Sequence, residues 1–277
     1  MSRFNWRPML VLIPFLILIG GFELAPLVWV LINSALSGDG QFSLANYQQI
    51  VASPFYRQAF EHSLIISICS SLIGLLMATL GCASLRHIPG RLRNAMLAFT
   101  NVTSNFVGVP LAFAFIIILG FNGTITLMLR HLGWLDSFNL YNTTGLTLIY
   151  SYFQIPLAML LLYPAFDGLK TDWEESASLL GAGRCHYWRR IGLPVLTPAL
   201  LGTLIILIAN ALGTYATVYA LTSGNYNLVT IRIASLVSGD IFLEPHLAAA
   251  ISVILMAILV GITLINQKLI QRSYHVS

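Results

Sequence analysis

The residues best equipped for chemistry are crowded into one stretch of this chain. Asp172, Glu174, Glu175, Arg184, Cys185, His186, Arg189 and Arg190 all fall within DWEESASLLGAGRCHYWRRIGLP, residues 172 to 194. Carboxylates at one end and guanidiniums at the other suit charge-assisted docking against a partner in water. Bond-making chemistry finds less support. A thiol between Arg184 and His186 is where cationic neighbours favour a thiolate, but Cys185 reads first as an ordinary small residue. There is no H-E-x-x-H, no pair of intramembrane carboxylates, and no G-x-x-x-x-G-K-[ST] loop; neither Lys170 nor Lys268 follows a glycine. The chain is therefore expected not to be an enzyme, to hold no metal and to bind no ATP phosphates by that loop.

The surroundings of this polar island set the class. Of the 277 residues, 57% are hydrophobic and only 9% charged, with a mean hydropathy of +0.81, far from the roughly one-quarter charged residues of a soluble globular chain. An all-α integral membrane protein is expected. A net charge of +4 could suit nucleic acid, but the basic residues flank apolar runs, where membrane topology accounts for them. No nucleic-acid partner is expected; the lipid bilayer is.

About 20 apolar residues cross a bilayer as a helix, and six segments qualify: about 9–35, 62–85, 94–120, 146–165, 195–221 and 246–266. The first is much longer than a signal-peptide core, so it reads as a retained helix. The fourth is the least apolar, interrupted by Tyr150, Tyr152, Gln154 and Pro156. With six spans, Arg3, Arg7, Arg86, Arg91, Arg93, Lys170, Arg184, Arg189, Arg190, Lys268 and Arg272 fall on one side. Only Arg57, Arg130 and Arg232 fall on the other. Positive residues stay inside, which places the island and both termini in the cytoplasm. The outer loops, about 36–61, 121–145 and 222–245, carry Asn, Gly and Ser turn signals and read as short caps. The inner turn RHIPGRLR, 86 to 93, has a basic rim that serves topology. Cys69 and Cys82 stand thirteen residues apart, about 20 Å at the helical rise, so no disulfide is expected.

Within the island, Thr171 with Glu174 and Asp172 with Glu175 both have capping-box spacing, which predicts a helix starting near Thr171 or Asp172 with its acids at the positive dipole end. This helix should bury Trp173, Ala177 and Leu180 and leave Glu174, Glu175 and Ser178 available. Gly181 and Gly183 then bracket a turn, and a second short helix over 184–191 should close before Pro194.

These residues carry a resemblance. Glu175-Ser176-Ala177, Gly181-Ala182, Trp188, Ile191 and Leu193-Pro194 resemble the EAA loop of binding-protein-dependent ABC-importer permeases of the MetI-like fold. Ser176 replaces the usual first Ala, and Leu180 stands where an Asp often precedes the Gly. Weaker likenesses extend over the chain: Pro14, Pro26, Asn46-Tyr47, Ser63-Leu64, and Asp240 before Ala248-Ala249-Ala250. The resemblance implies one permease domain over residues 1–277, with six transmembrane helices and cytoplasmic coupling helices at 171–194, in a bacterial inner membrane. It also implies that Glu174, Glu175, Ser176, Ala177, Gly181, Ala182, Trp188, Ile191, Leu193 and Pro194 form the coupling element. The implied partners are an ATPase homodimer that binds ATP and Mg, a second permease subunit that is a related chain or a second copy, and a periplasmic solute-binding protein. In flavour, Gly213-Thr214-Tyr215-Ala216 and the 221–231 loop are most similar to the spermidine/putrescine subgroup, whose relatives include phosphonate, thiamine and ferric-ion importers.

Polar residues inside spans are costly and tend to face a bundle interior. Asn101, Thr103, Ser104 and Asn105 in span three, and Asn210, Thr214, Tyr215 and Thr217 in span five, are the expected translocation-pathway residues; interhelical hydrogen bonding is their other reading. Glu23 lies inside the first span. It is either a helix-contact group or the proton site of an ion-coupled secondary transporter, the competing class.

Overall fold

The computed structural model describes residues 7–38, 40–133, 139–239 and 243–274, with side-chain surroundings for those from 12 to 268. Arg3 and Asp240 lie outside the described residues. In chain order the helices are α1 (Arg7–Ile19), α2 (Ala25–Ser34), α3 (Ala45–Ala52), α4 (Pro54–Leu85), α5 (Gly90–Asn105), α6 (Val109–Leu119) and α7 (Thr124–His131). They continue with α8 (Thr143–Asp167), α9 (Thr171–Leu179), α10 (Arg184–Tyr187), α11 (Leu193–Gly213), α12 (Ala216–Thr222), α13 (Val229–Ser238) and α14 (Pro245–Tyr274). Single π turns, Gly20–Leu24 and Trp188–Gly192, join α1 to α2 and α10 to α11. Among the described residues the sole β feature is an isolated bridge between Leu36 and Phe42. The stretches expected as outer loops are thus not bare caps: α3 and α13 lie in two of them, and α7 in the third.

Among the described residues, six helical segments are long and apolar enough to cross a membrane: Leu12–Ser34, Pro54–Leu85, Val109–His131, Thr143–Asp167, Arg184–Gly213 and Pro245–Lys268. Two of them correct the expected spans. The third was expected to be continuous over 94–120; instead α5 stops at Asn105, and Gly108 takes a φ of 82° before α6 starts. Pro110, in the first turn of α6, fits a break here, because its ring would clash with the carbonyl of Phe106, four residues back, in a continuous helix. The fifth was expected to run to Leu221 but breaks after Gly213, with Thr214 extended. The fourth, least apolar by sequence, is the most buried of the six. Tyr150 and Gln154 interrupt the hydropathy because they face the protein, whereas Tyr152 is exposed: Gln154 is fully buried, and its Nε2 donates to the Leu207 carbonyl at 2.7 Å and to Ser71 Oγ at 3.3 Å.

Both π turns sit just ahead of a proline, Pro26 and Pro194. A proline ring clashes with the carbonyl four residues back, and the wider π ring relieves this without ending the helix. Consequently α10, the second π turn and α11 run on as one helix, where the sequence reading expected a short helix closed before Pro194.

The chain divides into two compact units, one made of the residues through Arg57 with Arg232–Ile258, the other of Gln58–Ile231 with the chain from Leu259 onward. In the first unit, the Asn46 amide donates to the Leu36 carbonyl at 2.9 Å and the Tyr47 hydroxyl to Ser34 Oγ at 2.8 Å. These two residues tie the outer hairpin to α2. The Arg232 guanidinium lies 4.9 Å from the centroid of the Phe55 ring, and burial lowers its pKa. Ala248, Ala249 and Ala250 are buried. None of the first span's apolar window is buried, and Glu23, in its π turn, is exposed.

The second unit holds two apolar clusters. One gathers Ile66, Leu111, Leu146, Ile149, Phe153, Val218 and their neighbours; the other gathers Ala78, Cys82, Leu162, Phe166, Leu196 and Leu207. Gly74 lets α4 and α8 approach closely, since a Cβ there would stand 2.8 Å from Gln154 Cβ. This second cluster supports the base of the polar island.

Candidate functional site: the polar loop between spans four and five

The loop is anchored before it begins. Arg86, in the turn expected to serve topology only, donates to the Leu169 carbonyl at 3.0 Å, and Arg93 lies 3.8 Å from the Asp167 carboxylate. The end of α8 is thereby held against the turn at 86–93.

From there α9 rises with Lys170 as its N-cap and no side-chain cap. The expected capping box does not form, because Thr171 and Asp172 are already inside the first turn. The dipole argument still holds, since Asp172 and Glu174 lie at the helix start. At the other end, Gly181 has a φ of 81°. Its N–H donates to the Ser178 carbonyl at 2.9 Å, and the Ala182 N–H to the Ala177 carbonyl at 2.9 Å. These two bonds make a complete Schellman motif. Gly183 is extended instead, with φ −71°, so a single glycine turns the chain.

The motif folds α10 back on α9. Only Ala177 of the three residues expected to be buried is covered; Trp173 is 38% exposed and Leu180 88%. The helix that folds back covers only the Ala177 side of α9. Leu179 is 90% exposed, leaving two adjacent leucines bare at the tip. Between the helices lies a cleft of about 700 Å³ lined by Glu174, Glu175, Ser178, Leu179, Arg184 and Tyr187 among others. Ser176 is exposed and Ala182 half-buried. At the root, a Cβ on Gly192 would stand 2.6 Å from the Trp188 ring, which packs on Phe166 at 6.2 Å between centroids. Trp188, Ile191, Leu193 and Pro194 therefore join the loop to span five as one continuous helix.

Tyr187, missed by the sequence reading, is 1% exposed, and its hydroxyl has no partner among the described residues. A buried unpaired hydroxyl is destabilising. Tyr187→Phe is accordingly expected to leave stability unchanged or raise it by about 1 kcal/mol, read as a higher unfolding midpoint in detergent.

The expected pathway residues fall at the two helix breaks. Asn101 and Asn105 are exposed near the end of α5, where the Asn105 amide donates to the Asn101 carbonyl at 2.8 Å; Ser104 Oγ donates to the same carbonyl, also at 2.8 Å. Thr103 Oγ1 donates to the Phe99 carbonyl at 3.0 Å. Asn210 and Tyr215 are exposed, and Thr214 Oγ1 donates to the Asn210 carbonyl at 2.7 Å. Thr217 departs from the expectation. It is 1% exposed, and its hydroxyl accepts the Gly108 N–H at 3.0 Å. It links the break in span three to the break in span five rather than facing a path. Tyr150 and Thr230 both donate to the Thr214 carbonyl, at 3.4 and 3.2 Å, which satisfies a backbone group the break would otherwise orphan. Thr217→Val keeps the shape but removes the acceptor. A loss of about 1–2 kcal/mol is expected, measured by thermal unfolding, with Thr217→Ser close to the parent.

Residues 70–275 match the model of the family described as binding-protein-dependent transport system inner membrane component. The chain is 30% identical over 235 residues, 82% of its length and 81% of the relative's, to the sulfate transport system permease protein CysT of Salmonella typhimurium. It is 26% identical over 283 residues to the sn-glycerol-3-phosphate transport system permease protein UgpA of Yersinia pestis, covering 97% of this chain and 95% of that one. Its fold is similar to a chain in the crystal structure of a bacterial ABC transporter involved in the import of alginate, with a TM-score of 0.78, 19% identity and 96% of each chain covered.

Proposed function

This chain belongs to the binding-protein-dependent transport system inner membrane components, and on that premise we propose that the loop at 171–194 is its coupling element to a separate ATPase. The observation that carries this reading is the pair of bare leucines, Leu179 and Leu180, at the tip of a Schellman-closed turn beside a carboxylate-lined cleft. Burying each leucine is worth about 2 kcal/mol, and Glu174 and Glu175 offer charge-assisted bonds to a basic partner surface. ATP and Mg are bound by that ATPase, a homodimer beneath two permease subunits; the second permease is a related chain. A periplasmic binding protein delivers the solute from above.

The loop continues into span five without a helix break before Gly213, so a rigid shift of the loop moves that span. Alternating access follows when the ATPase pair closes and opens. The permease does no covalent chemistry. The distribution of its basic residues supports a cytoplasmic position for the loop and both termini.

The pathway candidates Asn101, Asn105, Ser104, Asn210, Thr214 and Tyr215 supply hydrogen bonds and no fixed charge. A polyamine, the solute suggested by residues 213–216 and 221–231, would lack a carboxylate partner among them. The named relatives carry sulfate and sn-glycerol 3-phosphate. We take the solute to be a small molecule chosen chiefly by the binding protein. Reconstituted uptake tests the whole reading: it should require ATP and binding protein and vanish with an ATPase-dead partner. Uptake sustained by an ion gradient with that dead partner, and abolished by Glu23→Gln, would establish the secondary transporter instead.

A further inference from the structure

A second cavity, of about 420 Å³, lies at the ends of two membrane-crossing helices, lined by Thr79, Leu80, Ala83, Ser84 and His87 from the α4 end and by Glu174, Arg184, Trp188 and Leu193 from the loop. Its size suits a small-molecule group, and its lining is sorted by chemistry. Arg184 and His87 are donors. Glu174 is an acceptor, and so are Thr79 and Ser84, whose hydroxyls spend their protons on the Leu75 and Leu80 carbonyls at 2.7 and 2.9 Å. Away from the loop, exposed Leu80, Leu76 and Leu72 follow each other at four-residue intervals up α4, one turn apart on a single face. The cavity thus opens onto an apolar stripe leading toward the membrane core.

We propose that this cavity seats the headgroup of an aminophospholipid, phosphatidylethanolamine, with an acyl chain along Leu80, Leu76 and Leu72. The phosphate accepts from Arg184 and His87. The ammonium, with three N–H donors, gives to Glu174 and to the hydroxyl oxygens of Thr79 and Ser84. Phosphatidylcholine carries the same charges but its trimethylated nitrogen donates nothing, and phosphatidylglycerol brings no cation for Glu174. Cationic donors and an anionic acceptor in one lining therefore match one lipid class. Because Glu174 and Arg184 also line the cleft between α9 and α10, the bound lipid braces the loop at its root.

The test is native mass spectrometry of the full-length chain, purified from membranes with its accompanying subunits, delipidated and titrated with phosphatidylethanolamine, phosphatidylcholine or phosphatidylglycerol of matched acyl chains. Phosphatidylethanolamine should be retained at least about tenfold over phosphatidylcholine, a ratio equal to about 1.4 kcal/mol. Glu174→Gln should bring that ratio close to one, and Arg184→Ala should weaken both lipids. Equal retention of the three lipids overturns the proposal, as does a preference that survives both substitutions. So does a Leu80→Cys variant that crosslinks to a protein subunit in place of a photoreactive phosphatidylethanolamine. Lipid mass is read without turnover, so failure of the ATPase-coupling reading leaves this result standing.

Discussion

Gly181→Val is expected to leave the chain inserted and folded while cutting ATP-dependent uptake roughly tenfold or more. The position is open, with no atom within 4 Å of a Cβ placed there, so bulk is not the cause. Handedness is. A φ of 81° costs a non-glycine residue about 1–2 kcal/mol, and a β-branched one is the least tolerant of it. If valine escapes to a negative φ, the Gly181 and Ala182 bonds to Ser178 and Ala177 are lost, about 1 kcal/mol each. The tip bearing Leu179 and Leu180 then swings away from the docking geometry. Every 1.4 kcal/mol is a factor of ten in the competent population, which sets the expected loss. Gly181→Asn should retain most uptake, since asparagine tolerates the left-handed region, and Gly183→Ala should be mild because Gly183 has an ordinary φ. Uptake at the parent rate by the valine variant would sink the coupling role of this turn.

Gly74→Leu is expected to do the opposite damage, abolishing recovery of folded protein and not merely its coupling. A Cβ at Gly74 meets Gln154 Cβ at 2.8 Å and the Gln154 backbone carbon at 3.3 Å, and backbone cannot turn aside as a flexible side-chain tip can. Overpacking of this kind costs about 1–3 kcal/mol for small insertions, and a leucine adds three further carbons. Displacing α8 also breaks the Gln154 bonds to Leu207 and Ser71, leaving a buried amide unpaired at about 1–3 kcal/mol more. Against a typical total of about 5–15 kcal/mol, the leucine variant should be lost to aggregation or proteolysis. Gly74→Ala should be purified with a lowered unfolding midpoint, and Gln154→Ala should not rescue it, because alanine keeps the Cβ and backbone carbon that the new methyl group meets. Recovery of monodisperse Gly74→Leu protein at the parent yield would refute the close α4–α8 approach.

Much of the site was legible along the chain. Gly181 was recognisable as the turn because a helix with acids at its start and a glycine after its last turn has one way to end. The acids at the dipole end and the continuity of the family pattern through Leu193 and Pro194 were equally readable. Leu180 was misjudged because helical periodicity tells which residues share a face, not whether a neighbour covers it. Tyr187 was missed since an aromatic among charges looks like a solvated residue until α10 folds back. Thr217 was taken for a pathway residue because intramembrane polarity alone does not distinguish a lining group from one that satisfies a broken backbone.

Class, number of spans and the helix-turn-helix of the polar loop came from the chain by itself, because hydropathy, charge and turn propensity are properties of single residues summed over short windows. The link between the breaks in spans three and five, the burial of span four and the anchoring of the loop's base were decided only by the tertiary structure. Each depends on partners far apart in sequence: Gly108 with Thr217, Gln154 with Leu207, Arg86 with Leu169. Inside a membrane every polar backbone group must find such a partner within the protein, and which distant residue supplies it is written in the packing of the helices, not in any local stretch of the chain.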